Sequence, residues 1–443
     1  MDTHHARVIG FLEAARRQGA RQAEVLVDQG HHHTAIAHRG RLVETTETTP
    51  QRVVVRVWLD TGQEGEASHT AGGELEGLYE SLAKGALARA AKAPQERATQ
   101  GSGPIQRSST TPRGLGLDDR RYPTVDLDAR KDVALEAERG ARSAHRSVLS
   151  TPFRYEDTRS RRVYMNTRDV VLDETATLYR CEGGVRMELG KDELLLYDRL
   201  AGRTFASISS LPFGTVLARR ALSLATPTLE VEGPVRVVLP PHITAAIVDR
   251  LGLVFTYDAV ARGENALAGH ALDPRLHLLD DGTMPGALRT TAFDDRGAGP
   301  LPLTLLRDGT LDARHLDHAT AQRLDASPTG HEQADGLRPR NLMLRSGTRS
   351  MNAILADLKG RTFHVEHVRD LDGLNLKTGD LSMIAYGLVK DGAEVAGAAH
   401  AVRLRGNLVD LFQHVVDVSS DTDRHEHIDA PGLLLDGFEA ERL

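Results

Sequence analysis

Residues 277–309 read HLLDDGTMPGALRTTAFDDRGAGPLPLTLLRDG, in which acidic glycine turns separate short apolar runs. A carboxylate in an Asp-Gly turn commonly accepts hydrogen bonds from its own backbone, so the pattern predicts short strands joined by tight turns. The pairs Asp280-Asp281 and Asp294-Asp295 could also perform acid/base chemistry or bind a cation. Turn chemistry explains them without catalysis, and we favour that interpretation.

Two segments of this stretch carry a family resemblance. The segments D-D-G-T-M-P-G, at 280–286, and F-D-D-R-G, at 293–297, resemble the signature block of the TldD/TldE (PmbA) family in composition and spacing. Arg296 stands where that family usually has an acidic residue. The resemblance extends over nearly the whole chain and implies a TldD/PmbA-like fold.

The resemblance also implies which segments face a substrate. These are the segment 280–296 and the segment 379–387, which contains the Gly-Asp-Leu-Ser sequence. The candidates for a peptide-binding groove are therefore Asp280, Asp281, Asp294, Asp295, Arg296, Asp380 and Ser382.

TldD-type members of the family bind zinc through His-Glu-x-x-x-His, and this sequence contains no such motif. The resemblance places the zinc helix near residues 242–253. Val248 and Leu253 then occupy the two histidine positions and Asp249 the glutamate position. An aliphatic side chain has no lone pair for a metal, so we expect no catalytic residue, metal or other cofactor in this chain.

The C-terminal end supports the same interpretation. TldD-type members complete their metal site with a C-terminal cysteine, whereas the only cysteine here is Cys181. Residues 417–437 instead resemble the ending of TldE-type subunits, a polar turn followed by a short apolar strand. His425 and His427 are the remaining metal-ligand candidates, because alternate residues of an extended segment share one side. A solvated polar turn is the favoured interpretation.

Composition excludes several classes of protein. The net charge is −7, aromatic residues make up 4% of the chain and there is no Lys/Arg tract, which argues against direct binding to nucleic acid. No segment approaches 18 consecutive apolar residues, so we expect no membrane span. The N-terminal segment lacks the features of a signal peptide, and one cysteine cannot form an intrachain disulfide. We therefore expect a cytoplasmic protein, and its Arg-, Ala- and Gly-rich usage suggests a bacterial source.

Hydrophobic periodicity predicts an α+β fold with two domains. Residues 1–225 should form an antiparallel sheet flanked by helices, with turns near Gly30, Gly40 and Gly62. Residues 93–123, rich in Pro, Gly, Ser and Thr, should form a linker-like excursion. Residues 226–443 should form a strand-rich domain with a curved or barrel-like sheet.

The resemblance implies a function for the whole chain. TldE-type chains pair with a TldD-type zinc metallopeptidase in a heterodimer that acts on unfolded peptides or on the leaders of precursor peptides. This chain would be the non-catalytic subunit, with zinc and the general base supplied by the partner. Two alternatives stay open, an autonomous enzyme with a rebuilt metal site and a homodimeric peptide-binding scaffold.

Overall fold

The computed structural model describes residues 3–71, 76–93, 112–190, 192–358, 360–371 and 373–442. Most of the predicted excursion, residues 94–111, therefore lies outside the described residues. Among the described residues, no helix is both long enough and apolar enough to cross a membrane.

The N-terminal half alternates between helices and long strands. Its helices are α1 (Thr3–Arg17), α2 (Tyr79–Ala90), α3 (Leu127–Ser143), α4 (Ala206–Ser209) and α5 (Phe213–Ser223). Its strands are β1 (Gln22–His38), β2 (Arg41–Thr48), β3 (Gln51–Trp58), β4 (Glu64–Ala71), β5 (Leu149–Ser150), β6 (Phe153–Asn166), β7 (Val171–Leu189) and β8 (Asp192–Gly202). They form one antiparallel sheet in the order β4-β3-β1-β6-β7-β5, with β2 beside β1 and β8 beside β7.

The two faces of this sheet are covered differently, because successive side chains of a strand point to opposite sides. Val53 and Val55 of β3 are fully buried in a cluster with α1 and α2. Tyr155 of β6 packs with α3 and α5 on the same side. On the opposite side, Tyr164 packs with Phe293. The helices therefore cover one face, and the other face contacts residues 280–298, which we call the acidic-turn segment.

The C-terminal half is dominated by strands. Its helices are α6 (Pro241–Gly252), α7 (Tyr257–Ala261), α8 (His318–Arg323), α9 (Met351–Ala356) and α10 (Leu408–Gln413). Its strands are β9 (Gly233–Leu239), β10 (Leu278–Asp280), β11 (Leu303–Arg307), β12 (Thr310–Leu311), β13 (Glu332–Gln333), β14 (Gly336–Leu337), β15 (Leu342–Leu344), β16 (Arg361–Asp370), β17 (Asp380–Asp391), β18 (Glu394–Asn407), β19 (Val415–His425) and β20 (Ile428–Arg442).

Five of these strands return on themselves as a closed ring. The ring runs β20-β18-β17-β16-β9, and β9 pairs again with β20. The sheet also extends from β20 through β15 to β10, which ends at Asp280. Helix α6 contributes Ile247 and Leu251 to the core of this half. The ring thus positions both α6 and the start of the acidic-turn segment.

The α+β class predicted from the sequence is confirmed, whereas two local predictions are wrong. Strand β1 continues through Gly30, which pairs with Ser160 of β6, so there is no turn at that glycine. Residues 417–425, expected within a polar turn, belong to β19, which runs along β20. Polar side chains are compatible with a strand that has one solvated side. The division into domains at residue 225 stays a prediction.

Close packing of α3 against α5 depends on Gly214. A Cβ atom there would lie 1.8 Å from the carbonyl oxygen of Ala137 and 2.9 Å from the amide of Ala141. We expect Gly214→Ala to lower the free energy of unfolding by about 2 kcal/mol, because the helices must separate. Urea denaturation measures this.

The matched control is Gly85→Ala in α2. The nearest atom to a Cβ at that position is 3.6 Å away, so the methyl group meets only ordinary contact. Alanine has the higher helix propensity, and we expect the free energy of unfolding to rise by about 0.5 kcal/mol. Equal effects of the two substitutions would contradict the packing argument.

Candidate functional site

Helix α6 runs where the resemblance places the zinc helix. Pro241 occupies its first position, where the missing N–H costs no helical hydrogen bond. Val248 is 3% exposed and packs into the core, and Leu253 is half-buried just after the helix ends. The carboxylate of Asp249 lies 3.1 Å from Nε2 of His427. These positions therefore hold two aliphatic side chains and a carboxylate already engaged by a histidine.

The chain's C-terminal end approaches α6 through the turn that joins β19 to β20. His427, in that turn, is buried against Asp249. His425 instead approaches Asp198 of β8, with 3.9 Å between Nδ1 and Oδ1. The two predicted ligand candidates thus contact different carboxylates, on α6 and on β8.

Two of the four aspartates in the acidic-turn segment act as turn residues. Oδ1 of Asp281 accepts hydrogen bonds from the amide and hydroxyl of Thr283, at 2.7 and 2.6 Å. Oδ1 of Asp294 accepts from the amides of Arg296 and Ala298, both at 2.9 Å. This is the backbone role expected of such carboxylates.

Asp280 has a different environment, which sequence patterns did not reveal. Its carboxylate accepts from the amide of Arg340, at 3.0 and 3.1 Å, and lies 2.8 Å from Nε2 of His315 and 3.3 Å from Nε2 of His331. Burial opposes its charge, but the hydrogen bonds with the two histidines hold the pKa of Asp280 well below its usual range. Burial lowers the pKa of His331.

The groups Asp280, His315 and His331 are the one set in the described residues whose ligand atoms, all within 4.8 Å, could hold a metal ion. All three side chains are fully buried, so neither a water nucleophile nor a peptide has access to them. Nδ1 of His331 lies 2.8 Å from the carbonyl oxygen of Thr329, and the amide of Arg340 satisfies the carboxylate. The cluster therefore fits a structural role better than a catalytic one.

Asp295 and Arg296 belong to an ion network with the N-terminal sheet. Asp295 accepts from Arg162 at 2.6 Å and from Arg52 at 3.2 Å. Arg296, 7% exposed, lies 2.8 Å from Glu24. Both residues hold the sheet against the acidic-turn segment.

The two remaining groove candidates lie at the start of β17. The carboxylate of Asp380 is exposed and accepts from Thr378 at 2.6 Å and from Asn407 at 3.1 Å. These hydrogen bonds lower the pKa of Asp380. Ser382 is half-buried, and its amide donates to the carbonyl oxygen of Gly373.

A cavity of about 640 Å³ lies beside α6. Side chains from both halves of the chain line it: Ser160, Arg162, Glu174, Ala176, Arg203, Asp249, Arg250, Leu253, Leu288, Arg289, Thr290, Thr291, Gln333, Asp335, Arg338 and Arg340. Two positions of the expected zinc helix, Asp249 and Leu253, are among them. None of the seven predicted groove residues lies in this lining, although residues 288–291 of the acidic-turn segment do.

The arginines of the lining were not predicted because they are scattered along the chain with no shared spacing. Arg162 is held by Glu174 at 2.8 Å and by Asp295; these carboxylates outweigh the effect of burial and raise its pKa. Burial lowers the pKa of Arg203 to about 10. The cavity wall is therefore strongly cationic.

The Asp280 cluster predicts a large difference between two adjacent aspartates. In Asp280→Asn, an amide N–H₂ must face either the Arg340 amide or a buried histidine, so we expect a loss of about 3 kcal/mol in the free energy of unfolding. Asp281→Asn keeps the Oδ1 acceptor of the turn and should lose less than about 1 kcal/mol. Urea denaturation of both variants compares them, and equal losses would refute the structural role of the cluster.

The environment of Glu332 should make the stability of the protein depend on pH. Burial disfavours its charge, but His318 and Arg296 outweigh burial and hold its pKa at about 2, below the ordinary 4.5. Its stabilisation is therefore complete above pH 4.5 and is lost as the pH falls toward 2. We expect the difference in unfolding free energy between the wild type and Glu332→Gln to shrink between pH 6 and pH 3. A constant difference would contradict the lowered pKa.

Two domain models of one protein family match this chain. The PmbA/TldA metallopeptidase central domain matches residues 120–226, and the PmbA/TldA metallopeptidase C-terminal domain matches residues 232–442. The metalloprotease PmbA homolog of Haemophilus influenzae is 23% identical over 329 residues, which cover 70% of this chain and 69% of that protein. Metalloprotease PmbA of Escherichia coli O157:H7 is 21% identical over 387 residues, which cover 81% and 83%.

A solved structure has the same fold. The crystal structure of TldE from Thermococcus kodakarensis matches with a TM-score of 0.84 and 13% identity, over 98% of this chain and 100% of that one. The two domain matches together span most of the sequence. The chain therefore belongs to the TldD/TldE (PmbA) family of metallopeptidase-related proteins.

Proposed function

We propose that this chain is the non-catalytic, TldE/PmbA-like subunit of a heterodimeric zinc metallopeptidase. Its partner is a TldD-type subunit that supplies zinc and the general base. The substrates are unfolded peptides or the leaders of precursor peptides. The chain has a single cysteine, as is usual in a reducing compartment, and we propose that it acts in the cytoplasm.

The occupants of the zinc-helix positions carry this proposal. A catalytic zinc site needs three protein ligands and an open position for water. Val248 is buried in the core and Leu253 is aliphatic, so neither can bind a metal. Asp249 is already engaged by His427, at 3.1 Å. The helix is retained with its packing face and without its metal-binding chemistry.

The cavity beside α6 supports the proposed substrate class. A volume of about 640 Å³ lies in the usual range for a small ligand and suits a few residues of an extended peptide. A folded domain is far too large for it. We infer that the cavity forms part of a groove that the partner completes.

The autonomous-enzyme alternative receives less support. Its suspects, His425 and His427, contact different carboxylates. The cluster of Asp280, His315 and His331 is fully buried, so a substrate cannot reach it. The homodimeric scaffold is separated from the proposal by the assembly experiment below.

We expect this chain to form a one-to-one complex with a TldD-type subunit from the same genome, burying about 2,000 Å² or more. Light scattering on the separate and mixed chains measures the assembly. Elemental analysis after dialysis against a weak chelator should find zinc in the partner and none bound stoichiometrically to this chain. A peptidase assay on a disordered peptide should show activity in the complex and none in this chain alone.

Two variants sharpen the zinc measurement. His427→Ala should leave the metal content of this chain unchanged, and so should His364→Ala, a buried histidine on β16 that serves as the control. About one zinc per chain that is lost in His427→Ala but kept in the control would establish a rebuilt site. A stable homodimer that does not bind the TldD-type subunit would favour the homodimeric peptide-binding scaffold instead.

A further inference from the structure

The cavity beside α6 has an excess of positive charge. Its cationic side chains are Arg162, Arg203, Arg250, Arg289, Arg338 and Arg340, and its carboxylates are Glu174, Asp249 and Asp335. The lining therefore has three more formal positive charges than negative ones. Charges of both signs usually balance inside a protein, because an unpaired buried charge is costly.

The three carboxylates are already engaged. Glu174 accepts from Arg162 at 2.8 Å and from the amide of Ala292 at 2.7 Å. Asp335 pairs with Arg338 at 2.6 Å. Asp249 pairs with His427. None of these contacts involves Arg203, Arg289 or Arg340.

Arg203, Arg289 and Arg340 form no ion pair with any carboxylate in the described part of the chain. Arg203 donates to four backbone carbonyl oxygens, those of Thr177, Ala287, Leu288 and Thr290. Arg340 donates to the carbonyl oxygen of Gly330. These bonds fix the guanidinium groups in place without neutralising them. Burial lowers the pKa of all three arginines, because it outweighs the attraction of nearby carboxylates such as Asp249 for Arg289 and Asp294 for Arg340.

Arg289 is the group best placed to meet a ligand. It is half-buried, and its one described hydrogen bond runs from Nη1 to the carbonyl oxygen of Pro339, at 3.1 Å. Its remaining N–H groups have no acceptor among the described residues. Arg203 and Arg340 are more enclosed and add to the positive potential around it. A guanidinium with free N–H groups suits a planar, two-oxygen anion, which it can bind through two parallel hydrogen bonds.

We propose that this cavity binds a carboxylate of the peptide substrate, with Arg289 as the direct contact and Arg203 and Arg340 as the supporting cations. The carboxylate is either the peptide's C-terminal group or an Asp or Glu side chain. This inference rests on the proposed function for the identity of the ligand as a peptide. The subunit would then hold a carboxylate of the substrate beside α6, next to Asp249 and Leu253.

The test measures peptide binding to the purified chain by calorimetry. The probes are three N-acetylated tetrapeptides. The first has neutral side chains and a free C-terminal carboxylate, and the second is the same peptide with a C-terminal amide. The third also has a C-terminal amide, but one of its residues is replaced by glutamate. We expect at least one carboxylate peptide to bind about tenfold or more tightly than the neutral amide. The preference should weaken as NaCl is raised. The carboxylate peptide that binds more tightly shows whether the site takes a C-terminal carboxylate or an acidic side chain.

Variants assign the preference to the cavity. Arg289→Gln should abolish it, because the amide can still donate to Pro339 but has no charge. Arg289→Lys should keep a reduced preference, since the charge remains without the two-pronged geometry. Arg307→Gln, which removes an exposed arginine on β11 paired with Asp312, should change nothing. Circular dichroism confirms that each variant is folded.

The outcomes separate this inference from the proposed function. No carboxylate preference, a preference unaffected by Arg289→Gln, or tighter binding of inorganic phosphate than of any peptide would overturn the inference. If the chain forms an active complex and shows no preference, only the carboxylate site fails. If the preference is present but no complex forms with a TldD-type subunit, the site stands and the heterodimer proposal fails.

Discussion

The buried carboxylate of Glu24 is the constraint on which the joining of the two halves depends. It is 1% exposed and lies 2.8 Å from Arg296 and 3.1 Å from Arg56, while Tyr164 donates to its other oxygen at 2.9 Å. Arg56 also donates to the carbonyl oxygen of Asp295, at 2.9 Å. A buried charge without its partners is strongly destabilising, so these contacts must form together. They attach the open face of the N-terminal sheet to the acidic-turn segment.

That attachment also builds the cavity wall. Arg162 of β6 and Glu174 of β7 come from the N-terminal sheet, and Arg289 comes from the segment that the sheet holds. Arg203, just after β8, donates to the carbonyl oxygens of residues 287, 288 and 290, so it fixes the backbone on either side of Arg289. The position of the proposed carboxylate contact is therefore set by both halves. Neither half forms this wall alone.

The sequence predicts local structure here better than distant contacts. Val248 lies on the helix that the family resemblance predicts, because motif spacing spans only a few residues, and Leu253 lies just after that helix ends. The cluster around Asp280 could not be predicted, since His315 and His331 are far from it in sequence and share no periodicity with it. The turn expected at Gly30 failed for a related reason, because cross-strand pairing outweighs the turn propensity of one glycine. The arginines of the cavity could not be predicted either, because they are scattered along the sequence with no regular spacing.

Arginines in this wall supply positive charge in a form suited to holding a substrate rather than cleaving it. Zinc activates a bound water and polarises a carbonyl group, which requires open coordination positions. A guanidinium offers only N–H donors, and it keeps its proton even where burial is unfavourable. The pKa of Arg203 falls only to about 10, so it remains charged near neutral pH. A wall of such groups beside α6 can attract and orient a carboxylate, but it offers no open coordination position at which a water molecule could be activated.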